Sequence, residues 1–147
     1  MKIDRLEILE QVYGTVTIPE AVFEELEKGR NKSYYIDLTD LSWIAIKAVK
    51  EKKLLTNLAE LDVGEAEVIA IASELEARLV IIDEVLGQKI AKQASLKVTG
   101  TLGVLIKAKE MGLIDKLGPL VDDLQAQGIW IGDKLKETVL RQVEEYH

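Results

Sequence analysis

The sequence predicts an α/β fold with parallel strands and helical crossovers, built as a single domain over residues 1–147, and three observations lead there. Short apolar, largely β-branched runs at 15–18, 43–49, 79–82 and 97–99 alternate with segments of helical periodicity, the pattern of successive βαβ units. A chain of 147 residues can bury a substantial core as one domain, whereas two halves would each be small and marginal. Finally, the run Leu79–Ile82 ends in Asp83 and returns at once to helical pattern. In open α/β sheets ligands sit outside the carboxyl ends of the strands, so Asp83 points into the expected crevice.

The elements follow in order. Residues 3–13 place Ile3, Leu6, Ile8, Leu9 and Val12 on one side of a helix that Gly14 ends. Thr15–Ile18 reads as a short strand, and Pro19 suits the first turn of a helix reaching Gly29. Arg30–Asp40 is polar and reads as a loop, and Trp43–Val49 alternates as a second strand. A short helix over 51–60 precedes a longer one over Gly64–Ala77, apolar around most of its circumference and therefore packed on several sides. Leu79–Ile82 is a buried strand, 84–94 a helix, Lys97–Thr99 a short strand, and Leu102–Met111 a helix after a Gly100–Thr101 turn. Helices near 117–127 and 133–146 complete the chain, which shows no repeat, low-complexity segment or linker.

Composition excludes several chemistries. No apolar run approaches the roughly 18 residues of a membrane span, and Met1–Glu10 lacks the apolar stretch of a secretory signal, so a soluble protein without membrane partners is expected. With no cysteine, disulfides and thiolate chemistry are unavailable and the reducing cytoplasm is the expected location. The single histidine, His147, is the last residue, which removes imidazole acid-base catalysis and Ser-His-Asp arrangements. GTLG at 100–103 lacks the lysine and spacing of a P-loop, and no G-x-G-x-x-G follows a strand. The net charge of −7 disfavours nonspecific backbone binding to nucleic acid. That total hides an asymmetry, because Val85–Lys116 carries Lys89, Lys92, Lys97, Lys107, Lys109 and Lys116 against only Glu110 and Asp115. A basic segment beside an acidic site can seat a phosphate backbone, although ordinary solvated lysines on two helices account for it equally.

Carboxylates are the remaining chemistry. Oxygen ligands converging at a strand end favour Mg²⁺ or Mn²⁺. At about 100° per residue, Glu25 falls inside the apolar arc of Ala21, Val22, Phe23 and Leu26, while Glu24 shares the opposite side with Glu20, Glu27 and Lys28. A carboxylate at that edge needs a cation, a hydrogen-bond network or a stem that snorkels to water. In the 64–77 helix, Glu65 aligns with Ile69 and Ala72, whereas Glu67, Glu74 and Arg78 form a charged stripe that reads as exposed. Each candidate also has a structural role open to it: Glu65 as a first-turn acid favoured by the helix dipole, Asp83 as a helix cap, Glu84 as a first-turn acid, Gly100 and Thr101 as turn and cap. Trp43, Trp130, Tyr34 and Tyr35 are scattered and read as core or loop packing, not as a base-stacking platform.

The segments TVTIPEAVFEEL, LDVGEAEVIAIASEL, LVIIDEVLGQKIAK and VTGTLGVLIKAKEMGLI, in that order and spacing, resemble a prokaryotic PIN-like family and cover nearly the whole chain. The resemblance implies a PIN-like three-layer α/β domain with a parallel central sheet. It also implies a Mg²⁺- or Mn²⁺-dependent ribonuclease, including toxins of toxin-antitoxin pairs, with RNA as substrate and an antitoxin protein as partner. By motif, Glu25 resembles the second acid of that family's metal site, Glu65 the third and Asp83 the fourth. Relatives usually open with a strand ending in aspartate, of the form S-D-T-S-P-L. Here MKIDRLEILEQVYG is already in the following helix, and Asp4 lies within helical pattern. Gln88 stands where relatives often carry arginine, and Glu84 where many carry aspartate.

The expectation is therefore a PIN-like fold whose N-terminal strand is missing, to be remedied by repacking, by exchange between protomers or by another subunit, so that a homo-oligomer is expected. A start upstream of Met1 would serve equally. Three functions stand side by side: a metal-dependent ribonuclease using Glu25, Glu65 and Asp83; a catalytically impaired PIN-like module that binds RNA or protein; and a generic α/β interaction protein whose acids are caps and surface charge.

Overall fold

The computed structural model describes residues 7–28, 37–126 and 131–143. The expectations for Asp4, for the tyrosines Tyr34 and Tyr35 with most of the 30–40 loop, for Trp130 and for His147 lie outside these residues. The fold is mixed α/β with parallel strands, and it divides into two compact units, Thr15–Thr99 and Met1–Gly14 with Gly100–His147.

In the Thr15–Thr99 unit, β1 (Val16–Pro19) pairs in parallel with β2 (Ile44–Lys47), Val16 opposite Ile44 and Pro19 opposite Lys47. Pro19 has no N–H to continue a ladder, and at φ −70° and ψ 157° it is the N-cap of α2 (Glu20–Glu27). Between β1 and β2 the expected loop ends in a turn of 3-10 helix, Leu38–Asp40. The Asp37 carboxylate organises it, accepting from Thr39 N at 3.0 Å and Thr39 Oγ1 at 2.6 Å.

The helix expected over 51–60 is only α3 (Lys53–Thr56). Beyond it the chain tightens, with Leu58 N donating to Leu55 O and Leu61 N to Leu58 O, the three-residue spacing of 3-10 turns. Asp62 then starts α4 (Val63–Leu75), its Oδ1 accepting from Glu65 N at 2.8 Å. Ala66, Ile69, Ala70, Ile71 and Ala72 are buried along α4, as its nearly all-round apolar pattern requires. The helix ends at Glu76, whose left-handed φ of 51° turns the chain while Glu76 N and Ala77 N both donate to Ala72 O.

β3 (Val80–Ile81) pairs in parallel with β4 (Val98–Thr99), extended by Ile82 N donating to Thr99 O at 2.9 Å. α5 (Val85–Gln93) connects them. Parallel pairing is as expected, but among the described residues the strands form two separate pairs, β1–β2 and β3–β4, instead of one continuous sheet. α4 packs against α2, α3, α5, β1 and β3. The core gathers Val49, Leu58, Leu61, the buried face of α4, Val80, Ile82 and Ala91.

In the second unit, α1 (Glu7–Tyr13) packs on α6 (Thr101–Glu110), followed by α7 (Gly118–Ala126) and α8 (Asp133–Gln142). Gly14, at φ +78°, ends α1 with its N–H on Glu10 O at 2.8 Å. Ile8, Val104, Leu105, Leu117, Val121 and Leu124 fill this unit's interior. Gly100 is the N-cap of α6, whereas Thr101 sits inside the helix, only 1% exposed. The expectation of a capping Thr101 is therefore corrected: its small β-branched side chain is packed in the interior. No described helix is long and apolar enough to cross a membrane.

Candidate active site at the carboxyl end of the third strand

The carboxyl end of β3 positions the acids. Ile82 is the last residue held by the β3–β4 ladder, and Asp83, exposed, follows it directly. Gln88 Nε2 donates to Ile82 O at 2.6 Å, tying the second turn of α5 to the strand end and fixing where the chain turns at Asp83. The N-cap of α5 is Glu84, one residue beyond Asp83, and its side chain makes no capping bond.

Gly87 lets α5 approach α4. A Cβ added there would meet Glu65 Oε2 at 2.8 Å and Ile82 Cγ2 at 2.8 Å, so only a glycine leaves room for the Glu65 carboxylate against the helix. Glu65, half-buried in the first turn of α4, is thus trapped between Asp62 and the start of α5. Its pKa is raised above the ordinary carboxylate value, first by burial, then by the negative charges of Asp62 and Glu84, and by its side-chain hydrogen bond with Asp62.

Glu25 lies elsewhere in character. It is 73% exposed at the side chain and pairs with Lys28 Nζ at 3.1 Å, one turn along α2. Of the ways open to a carboxylate at the edge of the apolar arc, Glu25 takes two, a stem that reaches water and a neighbouring cation. No residue of α2 is buried and Leu26 is 50% exposed, so the edge of that arc faces water and Lys28 supplies the cation.

Glu67 and Glu74 correct the exposed-stripe reading. Glu67 Oε1 accepts from Ala21 N at 3.0 Å, joining α4 to the first turn of α2. Glu74 accepts from Glu51 N at 2.7 Å and Lys50 N at 2.9 Å, and these bonds, that from Glu51 foremost, hold its pKa below the ordinary value. Arg78 is exposed, as expected. Sequence reasoning missed these two anchors because their partners are backbone N–H groups 46 and 23 residues away, which no local pattern records.

Around Glu65 the structure brings Asp62 and Glu84, with Asp83 next to Glu84 in the chain and Glu25 on α2 beside Lys28. Among the described residues no three acidic, histidine or cysteine side chains converge closely enough to hold a metal ion. A bound Mg²⁺ or Mn²⁺ needs several deprotonated oxygens at one point, and Glu25 stands apart on α2, turned to solvent beside Lys28.

A cavity of about 440 Å³ opens on the other side of the same helix, lined by Val85, Gln88, Lys89, Lys92 and Gln93. Lys89 and Lys92 are exposed, and among the described residues neither has an ion-pair partner. Against this geometry, a family profile described as a PIN domain matches residues 1–145. No curated protein and no solved structure gives a match.

Proposed function

Because the chain belongs to the PIN-domain family, a family of nuclease-type domains, we propose that it is a PIN-like module that binds RNA without cleaving it. The observation that carries this reading is that among the described residues no three acidic side chains gather closely enough to hold a metal ion, Glu25 standing in solvent beside Lys28 at 3.1 Å. Carboxylates so dispersed offer RNA no assembled reactive centre, while the charge pattern of α5 offers it a place to dock. Residues 1–147 act in this proposal as one PIN-like domain, the family match running through both compact units. Cytoplasmic location, self-association and an antitoxin-type protein partner belong to the same proposal, from the family likeness and the absence of cysteine.

A second reading is a Mg²⁺- or Mn²⁺-dependent endoribonuclease using Glu25, Glu65 and Asp83. One observation favours it: Asp62, Glu65 and Glu84 crowd acidic groups next to Asp83 at the strand end, where burial first and the charges of Asp62 and Glu84 second raise the Glu65 pKa.

The experiment is an incubation of end-labelled RNA of mixed sequence with the protein and either metal, read on native and denaturing gels. RNA that is retarded yet intact supports the binding module. Metal-dependent cleavage that disappears in Asp83→Asn supports the nuclease. RNA neither bound nor cut removes both and leaves an interaction protein whose acids are structural.

A further inference from the structure

α5, of sequence VLGQKIAKQ, carries two lysines and no acid in a chain of net charge −7. Val85, Gln88, Lys89, Lys92 and Gln93 recur at three- and four-residue spacing and so share one face of the helix, and that face lines the 440 Å³ cavity. Lys97 and Lys116 are exposed as well, but of the six lysines of the basic segment only Lys89 and Lys92 line this cavity. Lys109 Nζ is already donated to the Asp115 carbonyl. Lys107 lies on α6, outside the unit that holds α5.

We propose that this face of α5 is the seat of a single-stranded RNA, with Lys89 and Lys92 on consecutive stretches of the phosphate backbone and Gln88 and Gln93 on sugar and base edges. The inference rests on the RNA-binding reading and deepens it by naming the surface. Charge complementarity selects the occupant: two exposed ammonium groups one helical turn apart, unpaired among the described residues, attract a polyanion and are of no use to an acid-poor apolar partner. The glutamines favour single-stranded RNA. Gln88 spends an N–H on the Ile82 carbonyl at 2.6 Å, which leaves its Oε1 to accept from a donor such as a ribose 2′-hydroxyl. Gln93 has both ends of its amide uncommitted among the described residues, and exposed base edges exist in unpaired strands. Val85, 80% exposed at the start of the face, gives a base an apolar surface to lie on.

The placement also relates docking to the acids. Lys89 follows Asp83 by six residues, the last four steps being along α5, about 6 Å of helix. RNA held there lies alongside the strand end but on its basic side, while Asp62, Glu65 and Glu84 repel phosphate from the other.

The test is fluorescence anisotropy of a labelled single-stranded RNA against the intact protein, Lys89→Ala/Lys92→Ala, and Lys107→Ala/Lys116→Ala, each at several salt concentrations. The α5 double variant is expected to lose about tenfold in affinity, from two exposed charge pairs. Its log–log salt slope should flatten by about 1.4, at roughly 0.7 per single-strand phosphate contact. The second double variant should bind like the intact protein. If the α5 variant binds with unchanged affinity and slope while its unfolding temperature is unchanged, the seat is elsewhere and this inference falls, though RNA binding itself stands. Equal loss in both double variants overturns it in favour of diffuse charge, and equal affinity for DNA of the same sequence overturns the assignment to RNA. If the intact protein binds no RNA, the proposed function fails and takes the inference with it.

Discussion

Substituting Gly87 by alanine sets two opposed effects against each other, and their magnitudes decide the sign. Inside a helix, alanine is favoured over glycine by about 0.8–1.0 kcal/mol, so an unconstrained Gly87→Ala would stabilise the protein. The added methyl, however, meets Glu65 Oε2 and Ile82 Cγ2, both at 2.8 Å. The Glu65 carboxylate is the end of a flexible side chain and can swing away. Ile82 cannot, because it is 4% exposed and its N–H is held by Thr99 O at 2.9 Å. Overpacking of this kind costs roughly 1–3 kcal/mol, so the net change is a loss of about 1 kcal/mol. For a chain of this size that lowers the unfolding temperature by roughly 2–4 °C.

The assay is thermal and urea unfolding followed by circular dichroism, repeated in an Ile82→Ala background. There the obstructing Cγ2 is gone, and Gly87→Ala should become neutral or stabilising, a coupling that a double-mutant cycle reads directly. A Gly87→Ala protein that is more stable by the full helical preference, or whose effect is the same with and without Ile82, would refute the close seating of α5 on Glu65 and Ile82.

Three further outcomes follow from the same contacts. Glu65 has its pKa raised in the folded state, so its contribution is present in full below the ordinary value of 4.5 and is lost as pH rises through the folded pKa; Glu65→Gln should therefore raise the unfolding temperature at pH 7 and lose that advantage near pH 4. Glu74 is the opposite case, its contribution present above 4.5 and lost as pH falls, so Glu74→Gln should lower stability at pH 7 and converge with the unmodified protein in acid, as pH-dependent melting will show. Glu76→Gly relieves a non-glycine residue at φ 51° and should stabilise by about 1 kcal/mol in urea unfolding, with an unchanged m-value.

The order and kind of elements in the Thr15–Thr99 unit were legible because burial imposes periodicity. The unbroken apolar stretch of α4 and the β-branched run before Asp83 both announce themselves in sequence. Boundaries were less so: the 51–60 pattern contracts to Lys53–Thr56 because the Leu58 and Leu61 amides reach back three residues, not four. That the strands pair two by two was not legible, since strand length does not say which edges meet.

At the site, helical arithmetic placed Glu65 as the inward acid of α4 and left open which way Glu25 would be satisfied, because a wheel gives direction around an axis but not whether anything lies on that side. The partners of Glu67 and Glu74 were out of reach for a related reason. Both bond backbone amides of distant segments, and every residue has one to offer. The Gly87 approach had a trace in sequence, a glycine inside a helical pattern, which is a costly choice without a packing reason.

The proposal stands or falls on whether this PIN-like module works without a divalent metal, given that Glu65 lies against Asp62 at the end of β3 and Glu25 pairs with Lys28 on α2. Thermal unfolding of the intact chain with and without millimolar Mn²⁺ tests it most directly. A ligand at about 100 times its dissociation constant stabilises by roughly 2.7 kcal/mol, which for this size of chain is on the order of 5–11 °C. The account predicts no rise in unfolding temperature; a rise of that size, abolished by Asp83→Asn or Glu65→Gln, would contradict it.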